Sequence, residues 1–259
     1  MVKGEITLIG AGPGDPELIT VAGYKALLRA DVVLADRLAP RALLADLADD
    51  VTVIDVGKAP GCHVATQDEI NELIVTHALA GKNVVRLKGG DPYVLGRGGE
   101  ERLYAEQHGL SVRVIPGITS AVSVPAAAGI PVTHRHLATG FTVVTGHQDL
   151  GEVPVRADHT LVVLMGVSTL ASTVSTLTSR GLPSSTPIAI IERGYSQTQR
   201  TTIGTLEEIV VRARKAAVAN PAVIVIGDVV RLAPDAQVHL ASLKSLDTSD
   251  AAAAATFVD

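Results

Sequence analysis

Aromatic residues are scarce in this chain of 259 residues, which has four Tyr, two Phe and no Trp. Proteins that bind single-stranded nucleic acid stack the bases on aromatic side chains, so this composition argues against that class of function. A net charge of −5 at pH 7 also provides no sequence-wide basic surface for duplex DNA. Hydrophobic residues still make up 47% of the chain. We therefore expect folded domains with cores of Val, Leu, Ile and Ala, and no nucleic-acid partner.

The chain has a single cysteine, Cys62, which excludes an intramolecular disulfide and a zinc site built from several thiolates. Glu5 precedes only a short apolar run, so no secretory signal peptide is predicted. One long uncharged stretch, residues 114–133, is long enough to be considered as a membrane span, but it contains three prolines. We expect a cytoplasmic protein with no membrane partner and no bound metal.

Short β-branched runs alternate with helical segments along the first half of the chain. The predicted strands cover residues 6–10, 32–34, 51–56, 83–88 and 111–115. Asp15 before Pro16 predicts one helix start, and Thr66 with Glu69 predicts a capping box at another. This alternation is typical of right-handed crossovers and a parallel sheet.

The second half repeats the same organisation. Its predicted strands cover residues 141–145, 160–165, 187–191 and 222–227. Helices are predicted over residues 169–180 and 206–219, the second entered through a capping box of Thr205 and Glu208. A stretch rich in Pro and Gly, residues 129–140, is the predicted hinge. We expect two α/β domains, residues 1–134 and 135–241, and a mobile tail over residues 242–259.

Polar and Gly-rich segments of the first half follow the predicted strands at their carboxyl ends. They are GAGPGDP (residues 10–16), Asp36 with Arg37, Gly57 with Lys58, GGDPYVLGRGGEE (residues 89–101) and PGITSA (residues 116–121). The carboxyl ends of parallel strands share one edge of a sheet, where ligands of open α/β proteins bind. These segments are therefore predicted to meet at one ligand site.

The GAGPGDP segment does not fit the dinucleotide-binding pattern. G-x-G-x-x-G starting at Gly10 would need a glycine at the position of Asp15, and Pro13 lacks a backbone N–H for a pyrophosphate. Taken alone, this motif is explained equally well by a tight turn from strand to helix as by a ligand-binding loop. A nicotinamide-dependent dehydrogenase is disfavoured, and the chain has no P-loop.

The GGDP segment is harder to explain as an ordinary loop. Its adjacent glycines let a ligand approach the backbone, and Asp91 can accept hydrogen bonds from a ribose or an ammonium group. Asp36 and Lys58 lie at consecutive strand ends, where an acid–base pair could face one ligand, although an ordinary surface ion pair is the better interpretation from position alone. Met165, at the end of a predicted strand, is interpreted as a core residue.

A series of motifs matches a known family in order: GAGPGDPELIT, ADVVLADRL, VGKAPGCHVATQDEIN, VVRLKGGDPYVLGRGGEE, VIPGITSA, AGIPVTHR and VTGH. Over residues 5–232 the chain resembles the tetrapyrrole methylase family. GPGDP and GGDP are shared across that family, whereas QDEIN, GRGGEE, THR and VTGH are more specific to members that methylate uroporphyrinogen III. The resemblance implies the class III methyltransferase fold, with two α/β domains and a ligand cleft between them, and a homodimer.

The resemblance also implies an activity and its site residues. The activity is transfer of two methyl groups from S-adenosylmethionine to pyrrole carbons of uroporphyrinogen III, giving precorrin-2 and S-adenosylhomocysteine. Asp36 and Lys58 match the family's proposed proton acceptor and donor. The donor contacts match Pro13, Gly89, Gly90, Asp91, Val94, Thr119, Ser120, Met165, Gly194 and Ala222. Because the substrate is a polycarboxylate, we expect Arg37, Arg97, His134 and Arg135 to bind it.

Two other functions remain open from the sequence. One is methylation of a later corrinoid intermediate on the same fold. The other is a nucleotide-sensing module without catalysis, which no feature of the sequence favours. The alternative interpretation of the basic cluster at His134 and Arg135 is an ordinary solvated turn. Since aromatic residues are few, we expect the substrate to be held by its carboxylates and by aliphatic walls.

Overall fold

The computed structural model describes residues 3–57, 65–148, 150–234 and 236. The chain divides into two compact units. Unit 1 comprises Met1–Ala127, Ile191–Arg200 and Asn220–Val223, and unit 2 comprises Ala128–Ile190, Thr201–Ala219 and Ile224–Asp259. The expected class, two α/β units, is confirmed. The domain limits at residues 134 and 241 stay predictions, and the predicted tail over residues 242–259 lies outside the described residues.

The sheet of unit 1 has five parallel strands in the order β3-β2-β4-β1-β5. They are β1 (Ile6–Gly10), β2 (Val32–Ala35), β3 (Thr52–Asp55), β4 (Val84–Lys88) and β5 (Val112–Ile115). The predicted strands agree with these bounds to within one residue at each end. β1, β2 and β4 are buried along their whole length, as expected of central strands covered on both faces.

Helices cover both faces of this sheet. They are α1 (Val21–Leu27), α2 (Gln67–Leu79), α3 (Gly98–Gln107) and α4 (Ser120–Ala127), with short 3-10 helices at Pro16–Leu18 and Arg41–Leu44. On one face, Leu27 of α1 belongs to a buried cluster with Val33 and Val85. On the other, Ile74 of α2 belongs to a cluster with Leu34. The alternation of strand side chains therefore divides the core into two layers.

Both helix starts predicted in the first half are confirmed. The Thr66 hydroxyl accepts the Glu69 N–H at 3.3 Å, and the Glu69 carboxylate accepts the Thr66 N–H at 2.6 Å, which completes the capping box of α2. Asp15 accepts the Glu17 N–H at 2.9 Å, but the helix it caps is a single 3-10 turn. The longer helix that follows, α1, has Thr20 as its own cap.

The second sheet also has five strands, in the order β6-β7-β10-β8-β9. They are β6 (Gly140–Thr145), β7 (His159–Leu164), β8 (Pro187–Glu192), β9 (Arg200–Thr205) and β10 (Ala222–Ile226), with helices α5 (Leu170–Ser179) and α6 (Ile209–Lys215) and a 3-10 helix at Asp228–Leu232. β6 and β7 are parallel. The four strands predicted for this half are confirmed with small shifts of their ends.

One prediction in the second half is wrong. Thr205 does not cap a helix, because it is the last residue of β9, a strand that the sequence reading missed. Glu208 is the N-cap residue of α6 and makes no side-chain capping bond, so the predicted capping box does not form. α6 is accordingly shorter than the predicted helix over residues 206–219.

The long uncharged stretch over residues 114–133 folds partly as the end of β5 and as α4, a helix with Pro125 inside it. Over the ranges that the structure describes, the helices are all too short or too polar to cross a bilayer.

The central strand β2 generates the first prediction. Leu34 has no solvent exposure and lies in the cluster shared with α2, whereas Leu103 on α3 is 53% exposed. We expect Leu34→Ala to lower the free energy of unfolding by about 2–5 kcal/mol, because it removes buried methyl groups and leaves a cavity. Leu103→Ala should change it by less than about 0.5 kcal/mol. Urea unfolding measures both, and equal losses would contradict the proposed core.

Candidate functional site

The topology of unit 1 predicts a crevice at the carboxyl end of β4. The segments that follow β1 and β2 pack on one face of the sheet, through Leu27 of α1 and Leu43 of the second 3-10 helix. The segment that follows β4 packs on the opposite face, through Ala105 of α3. Where neighbouring parallel strands send their following segments to opposite faces, a crevice opens outside their carboxyl ends. β4 has such a neighbour on each side.

Three Gly-rich loops meet at this edge, backbone against backbone. The Gly90 N–H donates to the Gly12 carbonyl at 2.7 Å, and the Gly12 N–H donates to the Gly90 carbonyl at 3.2 Å. A Cβ on Gly10 would lie 2.6 Å from the Gly90 oxygen, and a Cβ on Gly117 would lie 2.6 Å from the Gly10 Cα. Only glycine fits at positions 10 and 117, so the loops after β1, β4 and β5 are locked together.

Asp91 adds side-chain hydrogen bonds to this junction. Its Oδ2 accepts the Gly117 N–H at 3.0 Å, and its Oδ1 accepts the Tyr93 N–H at 2.8 Å. The carboxylate therefore ties the loop after β5 to the loop after β4. Each oxygen keeps a second lone pair, so a contact of Asp91 with a ribose or an ammonium group stays a prediction.

The backbone at Gly90 is open to a ligand. Gly90 has a φ of +68°, and a Cβ placed on it would meet nothing closer than the Ser120 nitrogen at 3.7 Å, with the Thr119 Cα at 3.9 Å. Space for a ligand atom therefore exists directly against the backbone of GGDP. Among the predicted donor residues, Gly89, Gly90, Thr119 and Ser120 lie together at this point.

The segment Ile191–Arg200 of unit 1 lies against the same loops. A Cβ on Gly14 would lie 3.4 Å from the Gly194 oxygen, and a Cβ on Gly194 would lie 2.6 Å from the Val124 side chain. The Arg193 N–H donates to the Pro221 carbonyl at 2.9 Å, next to Ala222. Unit 1 thus contains nine of the ten predicted donor residues, namely Pro13, Gly89, Gly90, Asp91, Val94, Thr119, Ser120, Gly194 and Ala222.

The tenth predicted donor residue, Met165, belongs to unit 2. It follows β7 directly, has a φ of +57° and is 40% exposed. The interpretation of Met165 as a core residue is therefore wrong. A left-handed backbone is uncommon for a residue other than glycine, and strained residues of this kind are enriched at functional sites.

The predicted substrate residues lie in different places. Arg37 is exposed directly after Asp36 and makes no ion pair within the described ranges. Arg97 is the N-cap of α3 and pairs with Glu100 at 2.6 Å, which raises the pKa of its guanidinium. His134 and Arg135 are exposed in a turn of unit 2, where the Arg135 carbonyl lies 2.6 Å from the His134 ring. Lys58 lies outside the described residues.

A buried cluster of charged side chains lies beneath the crevice. Arg86 and Lys88 alternate along β4 and point to the same face of the sheet as Val84, where Glu101 of α3 meets them. The Arg86 Nε and the Lys88 Nζ both contact the Glu101 Oε1, at 3.0 Å and 2.9 Å. Arg86 also forms an ion pair with Asp36. The sequence reading missed this cluster, although two cations at alternate positions of an otherwise apolar strand are a recognisable signal.

Burial lowers the pKa of Lys88 below its ordinary value of 10.5, and the neighbouring charge of Arg86 lowers it further, while Glu101 and Asp36 act in the opposite direction.

Within the described ranges, no three His, Cys, Asp or Glu side chains gather in a geometry that would hold a metal ion.

Residues 5–210 match the model of the tetrapyrrole (corrin/porphyrin) methylases. The chain belongs to the tetrapyrrole methylase family. It is 49% identical over 238 residues to the uroporphyrinogen-III C-methyltransferase of Methanocaldococcus jannaschii, a match that spans 89% of this chain and 98% of that protein. It is 45% identical over 237 residues to the S-adenosyl-L-methionine-dependent uroporphyrinogen III methyltransferase of Methanosarcina barkeri, with 88% and 93% covered.

A solved structure shares the fold. It is the crystal structure of uroporphyrin-III C-methyl transferase from Thermus thermophilus complexed with S-adenyl homocysteine. The TM-score is 0.76 and the sequence identity 42%, over 88% of this chain and the whole of that one. The resemblance read from the motifs is confirmed by these comparisons.

The lowered pKa of Lys88 generates a pH prediction. The unfolded chain retains the Lys88 proton to higher pH than the native protein does, so the cost of burying this charge is full at low pH and disappears as pH rises toward 10.5. The free energy of unfolding of the wild type should therefore increase as the pH rises toward 10.5, and Lys88→Met should lack this increase. Lys82→Met, which changes an exposed lysine, is the control. Urea unfolding across a pH series measures this, and the same increase in Lys88→Met as in the wild type would contradict the prediction.

Proposed function

We propose that this chain transfers methyl groups from S-adenosylmethionine to uroporphyrinogen III, giving precorrin-2 and S-adenosylhomocysteine. The observation that carries the proposal is 49% identity to an enzyme of that name across 98% of its length. The crevice of unit 1 supports it, because a Gly-rich edge with open backbone at Gly90 is a suitable surface for a nucleoside ligand.

The loops that form this crevice are the proposed donor site. S-adenosylmethionine, when bound, supplies a sulfonium methyl group that an electron-rich pyrrole carbon can attack. The chain's own contribution is alignment: Gly90 allows close backbone approach, and Asp91 holds the neighbouring loop in place. Thr119 and Ser120, directly across from Gly90, are proposed to contact the same ligand.

Asp36 is the proposed proton acceptor, with Lys58 as the proposed donor. Methylation of a pyrrole carbon must be followed by loss of a proton as the ring system rearranges, and a carboxylate at the carboxyl end of β2 can take it. The Asp36 side chain is 32% exposed, so it is accessible from the crevice edge while its Oδ1 is held by Arg86. This places a fixed carboxylate next to solvent rather than inside the core.

The carboxylates of the substrate are proposed to bind Arg37, Arg97, His134 and Arg135. Arg37 is immediately available, since it makes no ion pair within the described ranges. Arg97 would have to exchange its contact with Glu100 for a substrate carboxylate, an exchange between two exposed groups that costs little. We further propose that the protein acts in the cytoplasm as a homodimer, on the basis of the family resemblance, and light scattering of the purified protein tests the dimer.

The first prediction here tests the reaction. The purified chain should convert uroporphyrinogen III to a dimethylated product with S-adenosylmethionine, followed by absorbance and mass. Asp36→Asn should slow methylation by about 10²–10⁴-fold, the range for loss of a general base, with unchanged calorimetric affinity for the donor. Asp158→Asn, an exposed aspartate of unit 2 paired with Arg156, is the matched control. Turnover of a later corrinoid substrate alone would refute the proposed substrate, and an unchanged rate in Asp36→Asn would refute the proposed base.

The second prediction tests the donor site. Gly90→Ala introduces a Cβ that meets no protein atom within 3.7 Å but occupies the space against the GGDP backbone. We expect a loss of at least about tenfold in donor affinity, or ~1.4 kcal/mol. Gly181→Ala is the matched control, because Gly181 also has a left-handed φ and open space but lies in unit 2 after α5. Alanine is strained at both positions because each glycine has a left-handed φ, so equal donor affinities by calorimetry would rule out a donor contact at Gly90.

A further inference from the structure

The buried charges beneath the crevice are not explained by the donor site. Arg86 is 2% exposed, Lys88 3% and Glu101 2%, and all three carry charges that are costly to bury. A core of this kind is commonly as stable, or more stable, when such groups are replaced by apolar residues of similar volume. Their presence beneath the ligand edge therefore calls for a reason other than stability.

The Arg86 guanidinium is held on every side. Its Nε donates to the Glu101 Oε1 at 3.0 Å, and its Nη1 donates to the carbonyls of Leu34 and Leu87 at 3.2 Å and 3.3 Å. Its Nη2 donates to the Asp36 Oδ1. Because the guanidinium is planar and rigid, the contacts at Nε and Nη1 determine where the Nη2 points.

Asp36 is the one member of this group that reaches the surface, with 32% of its side chain exposed. The backbone of Asp36 is fixed as well, since its N–H donates to the Leu87 carbonyl at 2.9 Å. Its Oδ1 is taken by Arg86, so the Oδ2 is the oxygen proposed to accept the proton. The hydrogen bond from Arg86 and the backbone hydrogen bond thus fix the orientation of Asp36, the proposed base.

Glu101 extends this arrangement to α3. Its Oε1 accepts hydrogen bonds from Arg86, from Lys88 at 2.9 Å and from the Gln67 amide at 3.3 Å. Glu101 belongs to GRGGEE, the segment that the donor site leaves without a role. The first turn of α3 is therefore connected to Asp36 through a single side chain, Arg86.

We propose that Arg86, itself held by Glu101, is a positioning residue that fixes the Asp36 carboxylate in the orientation needed to accept the substrate proton. Arg86 does not touch the reacting atoms, and its effect on turnover passes through Asp36. Lys88 balances the second negative charge of the cluster. The proposal rests on the proposed function, and it adds to that function a role for the start of α3.

A double-mutant cycle tests the proposal. Lysine at position 86 keeps the charge but cannot reach Glu101, Asp36 and two carbonyls together. Arg86→Lys should lower kcat at least tenfold, while the calorimetric affinity for S-adenosylmethionine changes less than twofold. In an Asp36→Asn background, the same change should lower kcat no further. Glu101→Gln should behave in the same way with a smaller decrease, and it provides a second measurement if Arg86→Lys is poorly folded.

The control is Glu106→Gln, which removes an exposed carboxylate of the same helix that pairs with Arg102, and which should keep the wild-type kcat. Equal losses from Arg86→Lys in the wild-type and Asp36→Asn backgrounds would show a merely structural role and overturn the proposal. A crystal structure of Arg86→Lys supplies a readout independent of activity. Asp36 in its wild-type rotamer there would also overturn the proposal, whereas lack of methylation by the wild-type protein would overturn the proposed function instead.

Discussion

The constraint on which the site depends is the close packing of three loop backbones at the carboxyl end of the first sheet. Gly10 and Gly117 bring the chain segments after β1 and β5 to each other and to the Gly90 carbonyl after β4, at distances that a side chain on either residue would prevent. The reciprocal hydrogen bonds between Gly12 and Gly90 close this junction, and Asp91 fastens its third member. Because these backbone groups are already held in place, the proposed ligand surface needs no ordering when a ligand binds.

A second constraint lies directly beneath this surface, namely the buried ion pairs of Arg86 and Lys88 with Glu101 and Asp36. β4 contributes to both constraints, since Arg86 and Lys88 precede Gly89 and Gly90 in one continuous strand and loop. The carbonyl of Lys88 accepts the Ala11 N–H at 2.8 Å, so the same residue joins the buried charges to the Gly-rich loop after β1. A shift of β4 would therefore disturb the donor edge and the orientation of Asp36 together. The two proposed functions of the crevice, donor binding and proton transfer, depend on one strand.

The sequence predicts the central strands and the capping box of α2 well, because buried β-branched runs and the Thr66–Glu69 pair are local signals. β9 is not predicted because its sequence, RTTIGT, is mostly polar and only half buried. The helix that follows is therefore predicted to begin after Thr205, whereas α6 begins at Ile209. The meeting of loops at one edge follows from topology and could be predicted once the strands were known. The roles of Arg86 and Glu101 could not, since they depend on which strand α3 covers, and the left-handed backbone of Met165 has no sequence signal at all.

Charge balance also shapes how the crevice can accept a polycarboxylate. The chain carries a net charge of −5, so cations proposed to bind the substrate must either lack a carboxylate partner, as Arg37 does within the described ranges, or exchange an exposed one, as Arg97 would. Arg86 fails this condition because Glu101 and Asp36 already occupy it in the core, and its charge serves the protein internally. Arg37, next to Asp36 and without an ion pair in the described ranges, meets the condition. Adjacent residues at the end of β2 thus have different proposed roles, with Asp36 oriented by a buried cation as the base and Arg37 exposed to bind a substrate carboxylate.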